Sequence, residues 1–157
     1  LPRGADAGAI DLTGQRALWD SSREDNTPKL EILCTYHIGE VVTSLTRASL
    51  VAGGAESLIY VTITGRIGAL VPFTSRDDVE FYTQLEGLLR TDAKRPTGRD
   101  PLNYRSYYAP VKHVVDGDLC AGFNYLSYDE QSKIAARVER SVGEVMKKLE
   151  DTRNALL

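Results

Sequence analysis

The sequence predicts an antiparallel β-meander followed by a set of short helices, and three observations carry that fold class. Apolar residues alternate with polar ones from Leu30 to Ile38, and runs rich in β-branched residues continue to Phe73, the pattern of pleated strands. At Ser75 the period changes, with Phe81, Tyr82, Leu85, Leu88 and Leu89 recurring at helical spacing. Three Ser-x-x-acid sequences, starting at Ser75, Ser127 and Ser141, have the chemistry of a helix N-terminus, in which the hydroxyl and the acid satisfy each other's backbone donors.

Residues 1–28 read as irregular. Glycines punctuate the first half, and the polar cluster Ser21 to Pro28 marks a loop. Arg16-Ala17-Leu18-Trp19 is the one apolar island, a candidate short strand. Leu30, Ile32, Cys34, Tyr36 and Ile38 then share one face of an expected strand, with Leu33 breaking the alternation. A turn at Gly39-Glu40 leads to a second strand within Val41–Leu50, and Gly53-Gly54 interrupts the chain before Leu58–Ile63. Thr64-Gly65 separates that run from Ile67–Val71, a tight hairpin in which glycine supplies the positive φ. The expectation is a four-stranded meander over 29–75 and a helical region over 76–157. Such a meander has two open edges and an apolar face to cover. A compact α+β domain and a single β-propeller blade both satisfy that need.

The chain has 157 residues, 42% of them hydrophobic and 26% charged, enough to bury roughly 70% of its extended surface. With 19 basic and 22 acidic residues the net charge is −3, so bulk charge gives no reason to expect nucleic acid or an acidic membrane as partner. Cys34 and Cys120 are the two cysteines, too few for a disulfide framework, which fits a reducing compartment. No run approaches the ~18 apolar residues of a membrane span. The first residues carry no signal-peptide core and no initiator Met, so the expectation is a processed chain or a piece of a longer one.

No constellation points to catalysis. Cys34 and His37 have a Cys-x-x-His spacing, but residues three apart on a strand face opposite ways. His113 and Cys120 supply no second close pair, so a buried Cys34 and an edge-facing His37 are expected instead of a metal. Asp116 and Asp118 precede the apolar pair Leu119 and Phe123 and read as an N-cap and a first-turn acid. Gly122 lies inside that short helix and weakens it. Neither Gly53-Gly54 nor Gly65-x-x-Gly68 has phosphate-loop spacing. No cofactor is expected.

The local anomaly lies between Lys94 and His113. Lys94, Arg95, Arg99, Arg105 and Lys112 stand against Asp100 alone, with Tyr104, Tyr107 and Tyr108 among them. Three readings stand: tyrosines anchoring an aperiodic loop, a protein interface, or an RNA-contacting module. The candidate interface residues are Arg99, Arg105, Tyr107, Tyr108 and Lys112.

Several motifs carry a family resemblance. Gly53–Tyr60, Gly65-Arg66-Ile67-Gly68 and Leu70–Ser75 resemble the last propeller segment of the splicing factor 3b subunit 3 family. Gly98-Arg99-Asp100, Arg105-Ser106-Tyr107-Tyr108, Pro110-Val111-Lys112 and Lys147–Asp151 extend the likeness. Val115–Leu119 is similar to a signature shared with the large damaged-DNA-binding and cleavage/polyadenylation specificity subunits. The resemblance implies a fragment of a multi-propeller protein: closing β-propeller strands followed by a small all-α C-terminal domain. It implies a non-enzymatic nuclear scaffold of splicing factor 3b in the U2 snRNP, supporting branch-site recognition in pre-mRNA splicing. The implied partners are the parent chain's other propellers and the HEAT-repeat and small subunits of that factor. The alternatives are direct RNA contact through 94–113, or an adaptor role in a ubiquitin-ligase or RNA 3′-end processing complex.

Overall fold

A computed structural model describes residues 31–51, 54, 56–92 and 98–154. Three antiparallel strands come first: β1 (Val42–Ala48), β2 (Ser57–Thr62) and β3 (Ile67–Leu70), in sheet order β1-β2-β3. Five helices follow: α1 (Arg76–Asp92), α2 (Pro101–Arg105), α3 (Gly117–Ala121), α4 (Tyr128–Arg137) and α5 (Val142–Asn154), with a 3-10 turn at Gly122–Tyr125.

The β2–β3 turn closes as expected. Gly65 takes φ +85° while its N–H donates to the Thr62 carbonyl at 3.0 Å. Across the sheet Leu45 faces Tyr60, and Tyr60 faces Gly68. A Cβ on Gly68 would lie 2.2 Å from the Tyr60 ring, so the glycine is what lets the ring lie flat over β3.

The predicted strand over Leu30–Ile38 does not form in the described residues, and the meander has three strands. That segment makes one bridge, Thr35 to Lys112, and joins a loop from the helical half instead of β1. Its alternation is real, but the described residues cover only part of the apolar face: Tyr36 lies under Arg105, whereas Ile32 is exposed. Cys34, expected to be buried, is exposed for the same reason. The candidate strand at Arg16–Trp19 and the cations Lys94 and Arg95 lie outside the described residues.

α1 begins with Asp77 and Asp78 and ends near Arg90, which places charge to suit the helix dipole at both ends. Its apolar stripe delivers Phe81, Tyr82, Leu85 and Leu89 to a core shared with Cys120, Phe123, Ile134, Ala135, Val138, Val145 and Leu149. Phe123, Leu85 and Val145 are fully enclosed. The Tyr82 hydroxyl reaches Thr152 Oγ1 at 2.6 Å, and Thr152 donates to the Lys148 carbonyl, so α5 is tied to α1 through a polar relay. Every residue of this core is helical or caps a helix; the sheet contributes none. Meanwhile Leu45, Ile63 and Ile67 on the sheet and its turn remain exposed.

The starts of α4 and α5 follow the sequence reading. Ser127 and Glu130 form a complete capping box, and Ser141 donates both its N–H and its hydroxyl to Glu144, at 2.7 and 2.8 Å. Val138 is the C-cap of α4. The aperiodic stretch 93–114 contains α2, too short to show a period but opened by Pro101 after the N-cap Asp100. α3 stops before Gly122, where the chain tightens into the 3-10 turn.

Candidate interaction surface

A helix of five residues does not stand on its own backbone hydrogen bonds, so α2 and α3 need outside support. Each receives it through its N-cap aspartate. Asp100 accepts the Leu102 N–H at 3.0 Å and holds Arg90 of α1 bidentately, at 3.0 and 2.8 Å. Asp116 accepts the Leu119 N–H at 3.2 Å through one oxygen and Arg105 Nε at 2.8 Å through the other. Arg90 reaches from the preceding helix, and Arg105 from the last turn of α2, so the two caps join α1, α2 and α3 in series.

The Arg105–Asp116 pair is 13% and 7% exposed. Burial alone would push the Arg105 guanidinium down, but the hydrogen bond and charge of Asp116 outweigh it, and the net shift is upward. Arg105 lies 4.7 Å from the Tyr36 ring centroid, a cation–π contact in a partly dry setting. Burial, and then the Asp116 carboxylate, push the Tyr36 hydroxyl well above the usual phenol range. Glu86 completes the group by accepting the Asp116 N–H at 3.2 Å. Its carboxyl is raised by burial, partly offset by that hydrogen bond and reinforced by the Asp116 charge.

This ion pair fastens the 31–38 segment to the 104–113 loop. The His37 N–H donates to the Arg105 carbonyl at 3.0 Å, and the Arg105 side chain donates to the His37 carbonyl at 3.3 Å. Further along, Thr35 and Lys112 exchange two backbone hydrogen bonds at 3.0 Å, and Lys112 Nζ donates to the Ile32 carbonyl at 2.7 Å. His113 takes φ +53° and brings its ring nitrogen 2.9 Å from the Leu33 carbonyl.

Between the Arg105 and Lys112 attachments the loop arches outward and stacks its tyrosines around His37. The centroids of Tyr104, Tyr107 and Tyr108 lie 5.2, 5.6 and 5.1 Å from the imidazole. Gly39, at φ +91°, allows this packing, because a Cβ there would overlap the Tyr104 hydroxyl. The outer rings remain open to solvent, Tyr107 at 70% and Tyr108 at 82%.

The candidate residues therefore divide. Tyr107 and Tyr108 form an exposed aromatic knob. Arg105 is an inward anchor, Lys112 is tethered to Ile32, and Arg99 is exposed yet engaged within the chain. Sequence reasoning missed His37 as the hub, and Tyr36 and Glu86 as partners of the ion pair. No local spacing announces them, since their contacts come from a loop far along the chain. The arrangement contains no paired nucleophile and base; it presents rigid phenol rings on a braced loop, the side-chain chemistry of protein contact surfaces.

Comparison with known proteins agrees with the motif resemblance. The family model "CPSF A subunit region" matches residues 13–125. The chain is 46% identical over 153 residues to splicing factor 3B subunit 3 of Danio rerio, covering 97% of this chain and 13% of that protein. It is 47% identical over 148 residues to a probable splicing factor 3B subunit 3 of Dictyostelium discoideum, covering 94% and 12% respectively. It is 47% identical over 125 residues to pre-mRNA-splicing factor RSE1 of Mycosarcoma maydis, covering 80% of this chain. The chain thus spans between 10% and 13% of the length of these relatives.

Proposed function

The chain belongs to the splicing factor 3B subunit 3 family, within the wider CPSF A subunit region family, and on that premise we propose that it is a non-enzymatic scaffold segment acting in pre-mRNA splicing. In this reading residues 29–75 supply closing strands of a β-propeller and residues 76–157 a small all-α C-terminal domain. The parent works in the nucleus within the U2 snRNP, where it supports the HEAT-repeat and small subunits of splicing factor 3b during branch-site recognition.

The observation that carries the reading is the sheet. It adds nothing to the helical core and leaves Leu45, Ile63 and Ile67 exposed. Apolar strands that a protein's own core does not use are strands that other strands cover. The Tyr107–Tyr108 knob is the surface we assign to a protein partner. Its neighbouring cation Arg105 is neutralised by Asp116, and its rings are packed edge-on against one another, 5.0 Å between centroids. The neutralised cation favours a protein contact over RNA, which needs free cations along the backbone path.

The test is purification of the tagged parent protein from nuclear extract at moderate salt. Recovery of the HEAT-repeat splicing subunit with the branch-site snRNA supports the scaffold reading. Recovery of a cullin ligase or of polyadenylation factors instead sends the chain to another branch of the wider family. Association that falls steeply with salt would favour the RNA reading, since phosphate contacts release counterions.

A further inference from the structure

The segment 32–38 uses one edge of its backbone and leaves the other bare. Thr35 and His37 turn their N–H groups to the 104–113 loop, onto the Lys112 and Arg105 carbonyls at 3.0 Å each. Successive residues of an extended chain turn their backbone groups to opposite edges, so Cys34 and Tyr36 face the other way. Among the described residues, the N–H and C=O groups of Cys34 and Tyr36 have no hydrogen-bond partner. Cys34 is exposed, but Tyr36 is half-buried, where unpaired backbone groups are costly.

The edges of the three-stranded sheet are guarded, and this one is not. β1 carries an irregularity in register between Val42 and Ser44 and a charge at Arg47. β3 has only four residues. Bulges, charges and short strands are the devices that keep an edge from pairing. Residues 32–38 contain no Lys, Arg, Asp, Glu or Pro. Their alternation puts Ile32, Cys34, Tyr36 and Ile38 on one face, and Ile32 is exposed. A strand laid along the bare edge would continue that face and cover it through cross-strand pairs.

We propose that this edge receives a β-strand from the parent chain outside these 157 residues, laddered to the N–H and C=O groups of Cys34 and Tyr36. The chain spans between 10% and 13% of the length of its relatives, so most of the parent lies outside it and is the nearest source of such a strand. The occupant is an extended segment with apolar residues at alternate positions, facing Ile32 and Tyr36. The segment 31–38 then belongs to a different sheet from β1, β2 and β3, and Gly39, at φ +91°, is the joint between the two. The proposal rests on the scaffold reading, in which the parent supplies further propeller strands.

The test is amide hydrogen exchange, read residue by residue by NMR in the 157-residue chain and by mass spectrometry in the purified full-length parent. In the chain, Thr35 and His37 are protected while Cys34 and Tyr36 exchange at the open rate. In the parent, the Cys34 and Tyr36 amides slow by about a hundredfold or more, as ladder amides do. Cys34→Pro removes an N–H that the chain does not use, so it leaves the chain's melting temperature in place while lowering Tyr36 protection in the parent. Thr35→Pro removes the bond to Lys112 and destabilises both. Cys34 and Tyr36 amides that exchange equally fast in parent and chain overturn the proposal, and so does protection that appears only with a second protein bound. The scaffold reading is judged separately, by what copurifies: splicing subunits recovered with a parent whose edge is unprotected would sink the strand docking alone.

Discussion

Asp116 caps α3 with one carboxylate oxygen and neutralises Arg105 with the other, at 3.2 and 2.8 Å. A single side chain thereby starts a helix and fastens the loop that bears the exposed tyrosines. The two roles are separable by mutation. Asp116→Asn keeps a capping oxygen but removes the charge, leaving the buried guanidinium unpaired. Arg105→Met keeps the cap and leaves the carboxylate unpaired. Removing one partner of a buried pair costs about 3–5 kcal/mol, so each variant should lose at least half of that in urea denaturation. A double variant, Arg105→Met with Asp116→Asn, should recover part of the loss because neither charge is then stranded. Additive losses would show that the pair is not coupled.

Gly39→Ala tests the packing of the aromatic loop. The residue sits at φ +91°, and its Cα faces the Tyr104 hydroxyl. A methyl group meets both the backbone strain and the phenol. The expected cost is about 1–3 kcal/mol, with Tyr104 displaced from the His37 ring. The diagnostic reading is the His37 ring-proton shift, which should move toward its random-coil value. An unchanged His37 shift would mean that Tyr104 does not depend on Gly39 for its place.

The part of the fold that sequence reasoning captured is the part whose chemistry lies within a few residues. Ser127 with Glu130, Ser141 with Glu144, Asp116 with Leu119, and the Gly65 turn are each closed by neighbours along the chain. The Leu30–Ile38 expectation went astray because period two reports a pleat and says nothing about which segment pairs with it. In the structure that segment meets Lys112 rather than β1. The candidate surface was half legible. A basic, tyrosine-rich loop stood out, but charge counting cannot tell an anchored arginine from a free one. Arg105 is anchored because Asp116, Tyr36 and the His37 carbonyl converge on it, and those three partners have no common sequence signal.

Two glutamates should give the chain opposite responses to acid. Burial, then the Asp116 charge, hold Glu86 above its ordinary value of 4.5. The folded state binds that proton more tightly than the unfolded state, so the contribution favours folding in acid and is lost as pH rises through the raised value. The Ser141 N–H and hydroxyl hold Glu144 below 4.5. Its contribution is present above 4.5 and is lost as pH falls through the lowered value. Glu86→Gln, which retains an oxygen for the Asp116 N–H, should flatten the decline in stability toward neutral pH. Glu144→Gln should flatten the decline on the acid side. Urea midpoints followed from acid to neutral pH separate the two, and matching profiles for both variants would contradict the assignment.

The exposed sheet leads to a prediction that links stability to assembly. Ile63 is 70% exposed and Ile67 is 72% exposed, and neither belongs to the helical core. Replacing both with Thr keeps β-branched side chains, so β3 retains its backbone preference at position 67 and the turn residue 63 keeps its shape at Cβ. The folding stability of the chain should change by no more than about 0.5 kcal/mol, the usual range for surface substitutions. Binding of a dye that reports exposed apolar surface should fall, together with self-association seen by sedimentation. In the full-length relative the same pair of substitutions should weaken packing against the neighbouring strands and lower the yield of assembled subunit. A large stability loss in the chain alone would instead place these isoleucines in its own core, and the sheet would then be self-sufficient.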